Sequence, residues 1–212
     1  MNMKKQKISL QVFFLALICC ALCACQTDNA LSQTAQPQKS PQQLLEEQPI
    51  DDTHDAFLVD TGGELGSLLV TAELAMENKD EFGTRDITFS VWNPADMEQP
   101  IQTFSEEFMM GVAPEFHHVV DANFDGFQDF GYLFHAGNQP YYRHYWLWDE
   151  AQGQFQYCAP LVEISQPGFD PERQVVTGWA RSSGAGDGVT TFHRWEDGEL
   201  VCVRRVESFS PW

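Results

Sequence analysis

The chain is short of positive charge, of cysteine beyond its first residues, and of any apolar run long enough to span a bilayer. It has 12 Lys plus Arg against 31 Asp plus Glu, and Lys4, Lys5 and Lys7 among them sit at the N-terminus. Binding a phosphate backbone requires clustered cations, so this balance excludes a nucleic-acid partner. It equally disfavours peripheral contact with anionic lipid head groups. The longest apolar run, Val12 to Leu22, has 11 residues, whereas a membrane-spanning helix needs about 20. Past residue 25 the only cysteines are Cys158 and Cys202. Neither has a His or a second Cys at metal-ligand spacing, which argues against a zinc site or an activated thiol. Helical periodicity is nearly absent from His54 onward.

What is present at the N-terminus is a targeting segment, to be set aside before the fold is considered. A basic start and the short apolar core lead into Leu22-Cys23-Ala24-Cys25, which resembles the bacterial lipobox. Residues 1–24 therefore read as a lipoprotein signal peptide, with Cys25 as the lipidated residue. The expected location is extracytoplasmic, on the cell envelope, with the membrane reached through the lipid. Removal of the three signal lysines leaves 9 basic against 31 acidic residues. Such a surface favours a basic partner, because complementary potentials accelerate encounter.

Residues 25–53 read as a flexible tether: rich in Gln, interrupted by Pro37, Pro41 and Pro49, and lacking large apolar runs. Leu44 to Glu47 allows a helical turn, but none is assigned. Residues 54–212 have the size of one domain. Strand candidates recur along it: Ala56–Val59, Leu65–Leu74, Ile87–Trp92, Ile101–Phe108, His117–Val120, Phe130–Phe134, Tyr141–Trp148, Gln154–Tyr157, Val175–Arg181, Val189–Trp195 and Glu199–Val206. Asp149 to Gly153 and Glu196-Asp197-Gly198 carry hairpin chemistry. The expectation is an all-β antiparallel meander, forming a small propeller-like stack, a barrel or a sandwich. Cys158 and Cys202 both fall in β-like stretches. Export permits a disulfide between them, and two buried free thiols fit equally.

The most informative chemistry is Asp121-Ala122-Asn123-Phe124-Asp125-Gly126-Phe127-Gln128-Asp129, a D-x-N-x-D-G-x-x-D pattern. Oxygen ligands at loop positions 1, 3 and 5 converge when the chain curls around a cation. Gly at position 6 permits the turn, position 7 offers its carbonyl, and position 9 closes the shell. Those roles fall to Asp121, Asn123, Asp125, the main chain of Phe127, and Asp129. Hard oxygen ligands select Ca²⁺ over zinc or copper. An EF-hand is excluded: its position 12 is a bidentate Glu, here Tyr132, and its flanks are helices, here β-like.

A strand–loop–strand of this kind resembles the calcium loops of FG-GAP and integrin-α propeller repeats. VVDANFDGFQDFGYLF, followed by the YYRHYWLWDEAQGQF and FHRWEDGELVCV hairpins, is similar to a family of secreted bacterial β-propeller-like proteins. Some of those act as immunity proteins or inhibitors of lysozyme-type peptidoglycan hydrolases. The likeness covers Phe116 to Val206. It implies a structural Ca²⁺ and a protein partner such as a cell-wall hydrolase. Lysozyme inhibitors place a Ser/Gly loop in the target's cleft, and Arg181, Ser182, Ser183 and Gly184 are loosely similar to such a loop.

Catalytic signals are weak. His117 and His118 are adjacent, so a strand points them to opposite faces, and no Ser-His-Asp or H-E-x-x-H arrangement occurs. Paired acids such as Glu106-Glu107 are commonplace in so acidic a chain and do not define a glycosidase pair. The aromatic run Tyr141, Tyr142, Tyr145, Trp146, Trp148 reads as core on alternating faces. The expected function is non-enzymatic binding at the envelope. An enzyme acting on envelope glycans and a purely structural lipoprotein are the alternatives.

Overall fold

A computed structural model describes residues 38–81, 83–109, 117–136, 141–182 and 186–209. Residues 1–37, which hold the expected signal segment, Cys25 and the first part of the expected tether, lie outside the described residues, as do Ser183 and Gly184. Among the described residues, twelve strands fold as three successive four-stranded antiparallel meanders. Sheet I contains β1 (His54–Asp60), β2 (Ser67–Leu74), β3 (Thr84–Trp92) and β4 (Gln102–Met109). Sheet II contains β5 (His117–Val120), β6 (Asp129–Ala136), β7 (Tyr141–Asp149) and β8 (Gln154–Tyr157). Sheet III contains β9 (Gly168–Asp170), β10 (Val175–Arg181), β11 (Gly188–Glu196) and β12 (Glu199–Ser208). Each strand pairs with its sequence neighbour, so every connection within a sheet is a hairpin or short loop. The β11–β12 hairpin turns on Asp197 (φ 51°) and Gly198 (φ 83°), the two left-handed positions that an Asp-Gly type I′ turn requires.

Sheet II is the middle layer. Along β7 the side chains alternate: Trp146 and Trp148 join the sheet I core, with Phe57, Phe89, Phe130 and Phe155. Tyr145 and Leu147 join Leu161, Ile164 and Val176 on the sheet III side. A strand buried on both faces explains why so many large rings stand in consecutive positions. Gly131 of β6 makes room for a side chain of the neighbouring strand. A Cβ there would overlap the ring of Tyr145, so only glycine lets that fully buried ring lie across the strand.

The all-β meander is thus realised as stacked open sheets, and the barrel alternative does not hold. Part of the segment expected as tether is structured. Pro41–Glu46 forms helix α1, held by a capping box in which Ser40 and Gln43 exchange hydrogen bonds, and α1 packs on β1 and β2. Composition missed this helix because its stability comes from docking rather than from any apolar run. A second short helix, α2 (Ala159–Val162), and the three-residue β9 also went unread. Both are too short to show a period.

Candidate cation-binding loop

The loop between β5 and β6 is curled by two left-handed residues, Phe124 (φ 62°) and Gly126 (φ 96°). Glycine takes that conformation freely; phenylalanine does so at a cost, offset here by packing of the Phe124 ring into the II/III core. The curl turns the side-chain oxygens inward. Asp121 accepts from the N–H of Asp125 (3.1 Å) and of Gly126 (2.9 Å). Asn123 Oδ1 accepts from Asp125 N–H at 3.2 Å, and Asp125 Oδ1 from Phe127 N–H at 2.9 Å. Asn123 Nδ2 also donates to Asp125 Oδ2 at 2.7 Å.

Asp129 is placed differently. It is fully buried, and its two oxygens accept from the backbone N–H groups of Ala122 and Trp148, each at 2.8 Å. It therefore brackets the loop to β7 rather than simply closing a ring of ligands. Among the described residues, no three His, Cys, Asp or Glu side chains gather at metal-ligating distance. The inward oxygens are those of Asp121, Asn123 and Asp125.

The electrostatics of this cluster are unbalanced. Burial pushes the Asp129 carboxyl up to about 7; the Trp148 and Ala122 N–H bonds pull the other way, and the charges of Asp125 and Asp121 push it further up. Among the described residues no cationic side chain pairs with Asp121, Asp125 or Asp129. Asp121, Asp125 and the buried Asp129 thus lack a counter-charge among the described residues, although they do not converge on one point. All the available donors are oxygen, the set suited to Ca²⁺. Asp121, Asn123, Asp125 and Asp129 would each offer such an ion an oxygen that already accepts a hydrogen bond within the loop or from β7.

The loop is also where the three layers are tied together. Gln128 N–H donates to Asp60 O at 2.9 Å, and Asp60 N–H donates to Gln128 Oε1 at 2.8 Å. The Phe127 ring lies against Gly62 in the β1–β2 turn. On the other side, Trp195 Nε1–H donates to Ala122 O at 2.9 Å. No sequence pattern announced these long-range ties, because each joins residues far apart in the chain.

The remaining candidates are dispersed. Cys158 and Cys202 are both free, the first buried and the second exposed. The disulfide alternative is therefore corrected: Cys158 caps α2 in the II/III core, whereas Cys202 lies on the edge strand β12 opposite His193. Arg181 ends β10 and is exposed, and Ser182 N–H donates to Asp187 O at 2.9 Å. His117 and His118 do face opposite ways. His117 stacks on Phe57 (centroids 4.4 Å apart) and bonds Asp55 Oδ2 at 2.8 Å, bridging sheets II and I. His118 bonds the Tyr145 hydroxyl at 3.0 Å, and burial lowers its pKa. The His117–Asp55 pair spans 62 positions and was invisible in the sequence. No protein-family model matches the chain, and neither does any curated protein or solved structure.

Proposed function

We propose that the chain is a non-enzymatic binding lipoprotein of the cell envelope, anchored through Cys25, whose acidic loop holds a structural Ca²⁺. The observation that carries this reading is the inward-turned oxygen set of Asp121, Asn123 and Asp125, in a loop hydrogen-bonded to sheets I and III. An ion there neutralises the cluster and stiffens the joint between layers, which suits a rigid display surface better than a reaction centre. The ion supplies charge compensation; the chain's own residues orient the loop and bracket it through Asp129.

The partner side of the proposal rests on charge. Residues 38–167 carry 23 acidic and 4 basic side chains, against 7 and 5 in residues 168–212. Sheets I and II are therefore the surface a basic protein would meet first, and a cationic cell-wall hydrolase is the partner class proposed. Calorimetric titration of the chelated protein with Ca²⁺ tests the ion, and Asp121→Asn should abolish the binding. A panel of basic hydrolases, assayed for inhibition and for salt-sensitive association, tests the partner. No heat on titration sinks the first part, and no association at low salt sinks the second. Radiolabelled-lipid incorporation lost in Cys25→Ala checks the anchor.

A further inference from the structure

The outer surface of sheet I is divided. Alternation against the buried Phe57, Val59, Leu68 and Val70 points Ala56 and Leu69 outward, yet both are buried, and α1 is the element packed over their strands. Beside this covered part the same face opens into a groove of about 340 Å³. Its floor carries the hydroxyls of Thr71, Thr88 and Ser90, Trp92 stands along it, and Glu73 supplies a carboxylate. Gln48 and Pro49 form one wall. Ligand sites commonly enclose about 300–1,000 Å³.

The groove's chemistry restricts what it accepts. No Lys or Arg lines it, and its one histidine, His54, already pairs with Asp51 at 3.0 Å, so an anion would lose its hydration beside Glu73 and Asp55 without gaining a free counter-charge. The hydroxyls retain bonding capacity: Thr88 pairs with Ser105 at 3.0 Å and Ser90 with Thr103 at 3.5 Å, and a hydroxyl offers one donor and two acceptor positions. The indole N–H of Trp92 is already committed to Thr71 Oγ1 at 3.1 Å. That bond fixes the ring and leaves its faces as apolar surface, so little ordering remains to be done on binding. A ligand that matches has C–H groups on its faces, hydroxyls at its edges, and either no charge or a positive one.

We infer that this groove binds an oligosaccharide of neutral or amino-substituted pyranoses. One sugar ring lies on Trp92, its hydroxyls meet Thr88 and Ser90, and an amino group, where present, faces Glu73. The site is separate from the acidic loop and goes beyond the protein partner proposed above. Calorimetry or ligand-observed NMR on the calcium-supplemented protein, with cellohexaose, chitohexaose, glucosamine hexamer and oligogalacturonate, tests it. Binding of the neutral or amino-substituted sugars is expected in the millimolar range or tighter, with none for oligogalacturonate. Trp92→Ala should weaken it at least about tenfold, equivalent to about 1.4 kcal/mol. Thr88→Lys, which fills the floor without removing a packed ring, should weaken it likewise while the melting curve stays near wild type. The proposal is overturned if the folded wild type binds none of the three, if it prefers oligogalacturonate, or if the folded Thr88→Lys variant binds as wild type does.

Discussion

The seam between sheets I and II and the seam between sheets II and III are built on different physics. The first is a lattice of rings: Phe89 alone contacts Phe104, Phe130, Tyr132 and Trp146, with centroids 5.0 to 5.7 Å apart. The second has fewer large rings, resting on Tyr145, Leu161, Ile164 and Val176 and on directional ties such as Trp195 to Ala122. Apolar area makes the first seam tolerant of small geometric change and costly to hollow out. Single hydrogen bonds make the second sensitive to geometry, and the acidic loop lies against it through Ala122 and Phe124. Sheet III is therefore the layer whose attachment a cation in that loop would govern.

Hollowing the first seam should have the largest effect. Phe89→Ala is expected to cost about 3–5 kcal/mol in urea unfolding, by lost burial and the cavity left behind. A loss similar to that of a surface mutation would break the contrast between the seams. Saturating Ca²⁺ comes next: at a hundredfold excess over Kd a bound ion adds about 2.7 kcal/mol, read as a higher melting temperature that chelator reverses. Hydrogen exchange should locate that gain in sheet III and the loop, and a gain spread evenly over sheet I would count against the loop's governing the attachment of sheet III.

Gly131→Ala should cost about 1–3 kcal/mol by overpacking against Tyr145, with exchange accelerated first in β10 and β11. The pH response separates Asp129 from the exposed acids. Its folded pKa of about 7 lies above the ordinary 3.8, so between those values the folded state holds more protons than the unfolded one. Its contribution therefore favours folding at low pH and is lost as pH rises towards 7. In chelator, wild type should gain stability relative to Asp129→Asn on acidification from about pH 7 to about pH 5. Bound Ca²⁺, which favours the ionised carboxylate, should reverse that trend. Last, Trp195→Phe removes one N–H donor and should cost about 1 kcal/mol, visible as faster exchange in β11 with little change in β3.

Much of the strand layout could be read directly. His117–Val120, Gln154–Tyr157 and Val175–Arg181 occupy the residues their composition indicated, and the Asp197-Gly198 turn follows from dihedral preference alone. These features are local, so local chemistry decides them. Helix α1 was not legible, since Ser40 and Gln43 cap it but the face of sheet I holds it. In the loop, the order of oxygen ligands was readable at Asp121, Asn123 and Asp125. The double hydrogen bonding of Asp129 was not, because the Trp148 N–H it accepts from belongs to another strand.

By itself the sequence determined the acidity and its skew towards residues 38–167, the hairpin turns and the spacing of oxygens in the loop, all properties of composition or of neighbouring residues. Tertiary structure alone decided that sheet II is buried on both sides, that Cys158 and Cys202 stand apart, and that Asp55 meets His117. The reason is common to all of these: they depend on which faces of distant strands come together, and a period-two pattern marks a face without saying what will cover it.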